Sequence, residues 1–248
     1  MKNGKALSLS LSRSISVTSK PHKLLLVLSL ALAFGFGFVP QAQAQAGFPM
    51  YSWGLNMLAR PTSPVPPETP GNLPGRVAGP SNWVFVSTAS GGNYAINTHG
   101  ELFAWGVSWA AYRMGQGAHP NPGTGTITAP TQIGTDANWV MTASRSNNVA
   151  AINSAGEVFV WGEGGPLAVN VPTRIYEAPN NVVHIAAGNT NYFVITDEGF
   201  MYSWGSAAGS TVARGGQHDV PGRVIVAGRE DLRWQAVTTT GSNGLAVT

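Results

Sequence analysis

The sequence predicts an all-β protein built from tandem copies of one unit, and three observations carry this prediction. An aromatic-small-Trp-Gly tetrapeptide occurs four times, in a repeat with a period of roughly 50 residues. Three equal blocks that end in such tetrapeptides, 83–106, 139–162 and 182–205, align without a gap. Charged residues make up 10% of the chain beside 31 glycines and eight tryptophans, a composition that favours short strands and turns over helices.

Residues 1 to 46 have the features of a cleaved export signal in their usual order. A basic stretch precedes the apolar run Leu24 to Val39, and small residues follow it. The run is shorter than the roughly 18 apolar residues that a membrane-spanning helix needs, so we expect removal, with retention as an anchor as the alternative. The chain has no cysteine that could carry a lipid. We therefore expect a secreted, periplasmic or cell-surface protein without a membrane span after cleavage.

The charge of residues 47 to 248 differs in sign from that of the whole chain. All four lysines and one arginine lie in residues 1 to 46, whereas every acidic residue lies beyond them. The remaining segment holds nine scattered arginines and eleven acidic residues. A nucleic-acid partner needs a basic surface, so none is expected. This segment is long enough to bury a core without disulfides.

The repeated tetrapeptide marks the end of each unit in residues 47 to 248. The tryptophans that we assign as structural residues of the repeat are Trp53, Trp105, Trp161 and Trp204. The units end near the glycines that follow them, Gly54, Gly106, Gly162 and Gly205. A fourth copy of the block opens at Trp234 and stops at Thr248, so the last unit is incomplete.

Each block has the pattern of a strand, a loop and a hairpin. In the first block, Val84 to Thr88 is a predicted strand. Tyr94 to Asn97 and Glu101 to Trp105 are predicted to flank the turn Thr98-His99-Gly100. The glycine suits a three-residue hairpin loop, in which one position needs a positive φ.

The last predicted strand of each block is apolar on both faces. In the first block Phe103 and Trp105 share one face, and Leu102 and Ala104 the other. Such a strand needs a packed neighbour on each side, as in the blades of a β-propeller. A proline motif between blocks adds an edge strand, because proline lacks the ladder N–H, so each unit supplies about four strands. The four motifs are Pro74 to Val77, Pro130 to Ile133, Pro172 to Ile175 and Pro221 to Val224.

These motifs resemble the regulator of chromosome condensation (RCC1-like) repeat, whose units end in Gly-x-Leu-Tyr-x-Trp-Gly. The segments that carry the resemblance are Gly100 to Gly106, Gly156 to Gly162, Gly199 to Gly205 and Ile185 to Gly188. The resemblance implies a β-propeller over nearly all of residues 49 to 248. With the export signal it implies an exported bacterial type, similar to secreted bacterial relatives that inhibit β-lactamase.

The sequence also departs from the family pattern. Asn191 stands where the family has histidine, and the family's Gly-Gln-Leu-Gly survives only as Gly115-Gln-Gly117 and in part as Gly216-Gln217. No residue matches the nucleotide-exchange activity of the founding member, so that activity is not implied. Family propellers usually have seven blades, whereas four units are visible here.

Four visible units leave two arrangements open, a closed four-bladed ring or part of a larger seven-bladed one. Met50 to Gly54 is a spare final strand, and the last unit lacks such a strand. Pairing of the two would complete a blade and remove the exposed edges of an open array.

The connection from each Trp-Gly to the next proline motif varies in length. The four connections are 55–73, 107–129, 163–171 and 206–220. Unequal insertions at one position of a repeat map to loops on one face, often the binding face. The longest carries Trp109, Tyr112, Arg113 and Met114, whose types are enriched at interface hot spots. We predict that these residues bind another macromolecule, which we expect to be a protein. The alternative is a loop folded onto its own ring.

We predict a non-enzymatic binding scaffold, with no catalytic residue, cofactor or metal. The histidines have no metal-ligand spacing, and no nucleophile elbow or phosphate-binding glycine pattern occurs. The rival is an exported propeller enzyme, a hydrolase or lyase, with acids from separate blades. Glu101 and Glu157 occupy the same position in the aligned blocks, but the third block has Phe200 there. A position in a surface turn therefore explains the two glutamates better than catalysis. A structural envelope component is a third candidate with no specific support.

Overall fold

Antiparallel strands make up nearly all regular structure in the computed structural model. It describes residues 47–53, 74–77, 79, 82–89, 91–107, 111–117, 126–162, 169–205, 212–215, 218–240 and 243–248. All of these fall within Gly37–Thr248, one of the two units into which the chain divides. Among the residues described, no helix is long and apolar enough to cross a membrane.

The strands form three four-stranded sheets and two two-stranded sheets, which confirms the all-β propeller prediction. The first pair is β1 (Tyr51–Ser52) with β2 (Gly75–Arg76). Blade 1 is β3 (Trp83–Ala89), β4 (Gly92–Asn97), β5 (Leu102–Val107) and β6 (Thr126–Gln132). Blade 2 is β7 (Trp139–Arg145), β8 (Asn148–Asn153), β9 (Val158–Gly162) and β10 (Val169–Arg174). Blade 3 is β11 (Val182–Ala187), β12 (Asn191–Thr196), β13 (Met201–Gly205) and β14 (Gly222–Arg223). The last pair is β15 (Ala236–Thr239) with β16 (Gly244–Val247).

The first strands of successive sheets lie side by side, since β3 contacts β7, β7 contacts β11, and β11 contacts β15. These strands therefore form the inner side of the array, and the proline motifs form the outer side. Pro130 and Pro172 lie in the outermost strands of blades 1 and 2, where the pairing register is irregular. This position matches the edge-strand prediction, because a bulged outer strand tolerates a missing N–H donor.

The last residue of each proline motif is buried and ties the outer strand to its neighbour. Its backbone N–H donates to a carbonyl just before or at the start of the third strand, at 2.7 to 2.9 Å. The four pairs are Val77 with Met50, Ile133 with Leu102, Ile175 with Val158, and Val224 with Met201. The same bond in all four units shows that β1 and β2 correspond to the third and fourth strands of a blade.

The apolar cores lie between neighbouring sheets. One cluster joins Tyr94 and Trp105 of blade 1 to Trp161 of blade 2. A second cluster joins blade 2 to Trp204 of blade 3, and a third joins blade 3 to Val237 of the last pair. Each fully buried large apolar side chain stabilises the fold by about 1.5 to 3 kcal/mol. Because the cores are shared, no blade buries its apolar strands alone.

A glycine lies at or next to the end of the third strand of each blade, because the neighbouring backbone passes too close for a side chain. Gly106, Gly162 and Gly205 have φ values of 134°, 114° and 133°. A Cβ atom at Gly162 would lie 1.9 Å from the carbonyl oxygen of Asn147. A side chain at these three positions would therefore collide with the backbone of the neighbouring strand.

The structure does not contain the four-bladed closure that the sequence left open. β1 pairs with β2, and β16 pairs with β15, as two separate sheets. Within the described strands neither β1 nor β16 pairs with the other. The first pair lies beside blade 1 instead, where Phe48 forms a bridge with Trp83.

Candidate functional site

The longest connection, between β5 and β6, contains a short 3₁₀ helix, Ala111–Met114. It is the segment in which the sequence predicts binding residues. Trp109 lies outside the described residues, and so does the side chain of Tyr112. Arg113 and Met114 are described in full.

The backbone carbonyl of Arg113 is held by donors from two blades. The hydroxyl of Tyr94, on β4 of blade 1, donates to it at 2.7 Å. The indole N–H of Trp161, on β9 of blade 2, donates to it at 2.9 Å. All three groups are buried, and the Tyr94 and Trp161 rings meet edge to face with centroids 6.1 Å apart. We call this three-residue arrangement the loop anchor.

Burial raises the pKa of the Tyr94 hydroxyl above its ordinary value, and the positive charge of Arg113 opposes part of that rise. The phenol therefore remains a donor at neutral pH. The Tyr94 hydroxyl that donates to the Arg113 carbonyl therefore does not change its protonation state in that range.

The segment Gly115-Gln-Gly117, which directly follows the 3₁₀ helix, also holds the base of the loop in place. A Cβ atom at Gly115 would lie 2.9 Å from the Trp161 indole nitrogen, and φ there is 68°, so only glycine fits. The Gln116 amide donates to a carbonyl of β6 at 3.3 Å. The Gly117 N–H donates to a carbonyl of β10 at 2.9 Å. The loop base is thus fastened to the outer strands of both blades.

The structure corrects the expectation that Arg113 and Met114 lie on an accessible surface. Both are buried at the junction of blades 1 and 2, with exposed fractions of 4% and 1%. The physical reason is that arginine and methionine stems pack as well in an interior as at an interface. The burial of these two side chains favours the alternative of a loop folded onto its own ring. Binding by the rest of the loop stays a prediction.

Blade 3 anchors its own connection by different chemistry. Val212, in the connection from β13 to β14, is buried, and its carbonyl accepts a bond from the Ser203 hydroxyl. The Arg214 guanidinium donates to the carbonyls of Ser203 at 3.0 Å and Val220 at 2.5 Å. Burial lowers the pKa of Arg214, and Asp219 partly offsets this. The connections of blades 1 and 3 thus both have a buried base.

The hairpin turns contain an asparagine cap that the sequence interpretation missed. The side-chain oxygen Oδ1 of Asn153 accepts hydrogen bonds from the backbone N–H groups of Ala155 and Glu157, at 3.1 and 3.0 Å. Its amide donates to the Glu157 carboxylate at 2.7 Å. Asn97 and Glu101 repeat this geometry in blade 1. Asparagine four residues before glutamate, around a turn glycine, is the signal that predicts it.

Glu101 and Glu157 are therefore turn residues, as the sequence interpretation favoured, and Phe200 takes their place in blade 3. Glu157 also pairs with Arg174 at 2.7 Å. Arg223, at the same place in its proline motif, lies over the Phe200 ring at 4.0 Å. Arg233 lies over the same ring at 4.2 Å.

The histidines of the described ranges have separate surroundings. An Asn82 amide nitrogen lies 3.4 Å from the His99 ring, and His184 contacts the Val237 carbonyl at 2.8 Å. Across the described ranges, no group of three or more His, Cys, Asp or Glu residues could hold a metal ion. His119 lies outside those ranges.

No protein-family model matches the chain. Human HERC2, an E3 ubiquitin-protein ligase, is 31% identical over 103 residues, which are 36% of this chain and 2% of that protein. The mitochondrial RCC1 domain-containing protein RUG3 of Arabidopsis thaliana is 29% identical over 133 residues, 49% of this chain and 29% of that protein. The structure of yeast RCC1 (Prp20) bound to Kap60 superposes with a TM-score of 0.63 at 18% identity. It covers 80% of this chain and 50% of that one, so the chain spans half or less of each of these proteins.

Proposed function

We propose that this chain, an RCC1-like propeller by its sequence relatives and its fold, is an exported scaffold that binds another protein. The binding surface is formed by the connections between the third and fourth strands of the blades, and no reaction is catalysed. The use of the fold in its relatives supports this: yeast RCC1 was solved with Kap60 bound, and binding to Gsp1p and histones is described for it. The identity to that structure is 18%, so the partners of yeast RCC1 are not assigned to this chain.

The loop anchor is the observation that carries the proposal. Two buried donors from different blades converge on the Arg113 carbonyl, so the loop base is fixed by the packing of the ring. A loop held at its base loses little conformational freedom when it binds, which favours affinity. Loops of unequal length on a repeated rigid frame are the usual place for recognition in repeat proteins.

Export rests on residues 1 to 46. The apolar run Leu24 to Val39 and the small residues after it support cleavage near Gly47. The test is to express the full chain in a bacterial host and determine its N-terminus and its compartment. A chain outside the cytoplasm that begins near Gly47 is expected. An intact N-terminus on a cytoplasmic protein would refute export. It would leave the binding proposal unchanged.

The binding proposal is tested by capture with loop variants. In the test variant residues 118–125 are replaced by an equal number of glycine and serine residues, which leaves the loop anchor intact. In the control variant the exposed residues 134–137 are replaced in the same way. A protein captured by the wild type and the control, and lost from the test variant, is expected. Equal capture by all three would exclude this loop as the binding surface.

The two glutamates at one repeat position, Glu101 and Glu157, give no specific support to the enzyme alternative. Glu101 and Glu157 are engaged by the asparagine caps of their own turns. A catalytic acid needs access to a substrate and a pKa suited to proton transfer. The geometry of these two residues explains their position in the repeat without catalysis.

A further inference from the structure

Blade 3 differs from the other two complete blades at the end where its third strand begins. The turn before that strand carries Glu101 in blade 1, Glu157 in blade 2 and Phe200 in blade 3. In blade 2 the Glu157 carboxylate pairs with Arg174 of the proline motif at 2.7 Å. Arg223 has the same place in the proline motif of blade 3. The phenylalanine at the turn position offers this arginine no carboxylate.

The Phe200 ring holds two arginines where blade 2 has the ion pair. The guanidinium carbon of Arg223 lies 4.0 Å from the ring centroid, and that of Arg233 lies 4.2 Å from it. The two guanidinium carbons are therefore at most 8.2 Å apart, the sum of these distances. Stacking uses the face of a guanidinium, so the N–H donors at its edge stay available for a carboxylate. It also restricts the two side chains before a partner binds, which lowers the entropic cost of binding.

The other contacts of the two guanidinium groups are with neutral backbone carbonyls. Arg223 donates to the carbonyl of Glu230 at 3.3 Å. Arg233 donates to the carbonyls of Asp231 and Leu232, at 2.8 and 3.1 Å. A guanidinium has five N–H donors, so both arginines retain donors beyond these bonds. Both side chains lie at exposed positions, where a partner can reach those donors.

The acidic side chains of the same region are directed to other groups. The Glu230 carboxylate accepts the backbone N–H of Gly228 at 3.1 Å. The Asp231 carboxylate pairs with Arg229 at 3.4 Å. The two acidic residues of the turn, 197–198, are exposed. Among the residues that the structure describes, no carboxylate forms an ion pair with either arginine that stacks on the ring.

The connection that follows the proline motif of blade 3 supplies one of the two arginines. The connections at this place of the repeat are 78–82, 134–138, 176–181 and 225–233, and the last is the longest. It folds on itself, since the Arg229 N–H donates to the Val226 carbonyl at 2.9 Å. Insertions at one repeat position are typical of binding surfaces. The positions equivalent to Arg233, Asn138 and Asn181, are exposed although a complete blade follows each, so a following blade leaves this place open.

These residues lie at the opposite end of the blade from the loops of the proposed function. Phe200 precedes β13, whereas the connection 206–220 follows it, so the two lie at opposite ends of one strand. The depression that Phe200, Arg223 and Arg229 help to line has a volume of about 10 Å³, room for one water molecule. A partner must therefore lie on this surface and not fill a pocket, which favours a protein segment over a small molecule.

We propose that Phe200, Arg223 and Arg233, here called the arginine surface, bind an extended segment of a partner protein with two acidic side chains two residues apart. In an extended chain such side chains point to the same side, with Cα atoms about 6.6 Å apart, which fits the span of the two guanidinium groups. Each carboxylate then accepts charge-assisted hydrogen bonds from one arginine. The exposed acidic residues 197–198 disfavour a longer acidic run by repulsion. A nucleic acid would need more basic contacts than two arginines supply.

Peptide titration followed by NMR tests the proposal on the full-length chain as the host delivers it. The probe is a Gly-Asp-Gly-Asp-Gly peptide with blocked ends, and the control peptide has asparagine in place of both aspartates. Saturable shifts at the arginine surface are expected with the acidic peptide alone. Arg223→Gln/Arg233→Gln should weaken its binding by about tenfold or more. The matched control is Arg174→Gln, at the same repeat position as Arg223, which should bind the peptide as the wild type does.

Phe200→Glu is the second variant, because it gives blade 3 the glutamate of blades 1 and 2. That carboxylate would pair with Arg223 and compete with the peptide, so we expect weaker binding, whereas Phe200→Tyr keeps the ring and should bind as the wild type does. Three results would overturn the proposal: no saturable shift, equal affinity of the arginine variant, or an equal response to the asparagine peptide, inorganic phosphate or oligothymidylate. Each would leave the loop proposal unchanged, because the arginine surface contains none of those loops.

Discussion

The indole N–H of Trp161 in blade 2 donates a 2.9 Å hydrogen bond to the Arg113 carbonyl of the blade 1 loop. The equivalent indoles of Trp105 and Trp204 have no hydrogen-bond partner within the described ranges. The repeated tryptophan thus packs in the core of every blade. In blade 2 it also donates a hydrogen bond to the loop. This second role connects the ring to its longest loop.

Replacement of Trp161 by phenylalanine should loosen that loop. Trp161→Phe removes one donor to the Arg113 carbonyl, so we expect a loss of about 0.5 to 1.5 kcal/mol beyond the packing loss. The control is Trp204→Phe, which loses similar packing but no such bond. Urea unfolding measures the difference, and hydrogen exchange at Gly117 should accelerate in Trp161→Phe alone. Equal stability and equal exchange in both variants would show that the bond does not hold the loop.

Removal of an asparagine cap should destabilise its blade. Asn153→Ala loses three hydrogen bonds in the turn before β9, and we expect a cost of about 1 to 3 kcal/mol. Ser154→Ala, an exposed position in the same turn, should change stability by less than about 0.5 kcal/mol. Chemical unfolding of the two variants provides the comparison. Similar unfolding midpoints would mean that water replaces the three hydrogen bonds of the cap without a loss of stability.

The glycine after each repeated tryptophan should not tolerate alanine. Gly162→Ala places a Cβ atom 1.9 Å from the Asn147 carbonyl oxygen, so the strand must shift. We expect a loss of more than about 3 kcal/mol. Gly134→Ala is the control, because φ there is also positive, at 63°, but no atom lies within 4 Å of the added carbon. It should cost only about 1 kcal/mol, and equal losses in thermal unfolding would contradict the close approach.

The buried tyrosines should make stability fall at alkaline pH. Burial raises the pKa of both Tyr94 and Tyr192 above the ordinary value of 10.0. Above that pH the unfolded chain releases phenol protons that the folded chain retains, so the unfolded state gains as pH rises. Each tyrosine contributes a slope of up to about 1.4 kcal/mol per pH unit. Tyr94→Phe should flatten the decline between pH 10 and 12, and an unchanged slope would show that the hydroxyl is not buried.

The strands of complete blades could be predicted from the sequence because the signals that specify them lie within each repeat. The apolar residues on the strand faces, the turn glycine and the proline motif each specify one strand or one turn. The predicted first strand of blade 1 is one residue short at each end. At its start the pairing between Trp83 and Phe85 is irregular, which has no sequence signature.

The loop and the ring closure could not be predicted in the same way. Arg113 and Met114 belong to residue types that serve both interfaces and cores, and only the contacts with Tyr94 and Trp161 decide between the two. The first and last strands lie in two separate two-stranded sheets. Whether such strands meet depends on the angle between successive blades, which the pattern of apolar residues does not determine.

The dissociation constant of the captured partner tests the central claim most directly. It should be measured for the wild type and for four variants, in which residues 55–73, 118–125, 163–168 or 206–211 are replaced by glycine and serine. The scaffold proposal predicts that at least one replacement weakens binding by about tenfold or more, or about 1.4 kcal/mol, with an unchanged unfolding midpoint. If all four variants bind as the wild type does, the loops are not the binding surface.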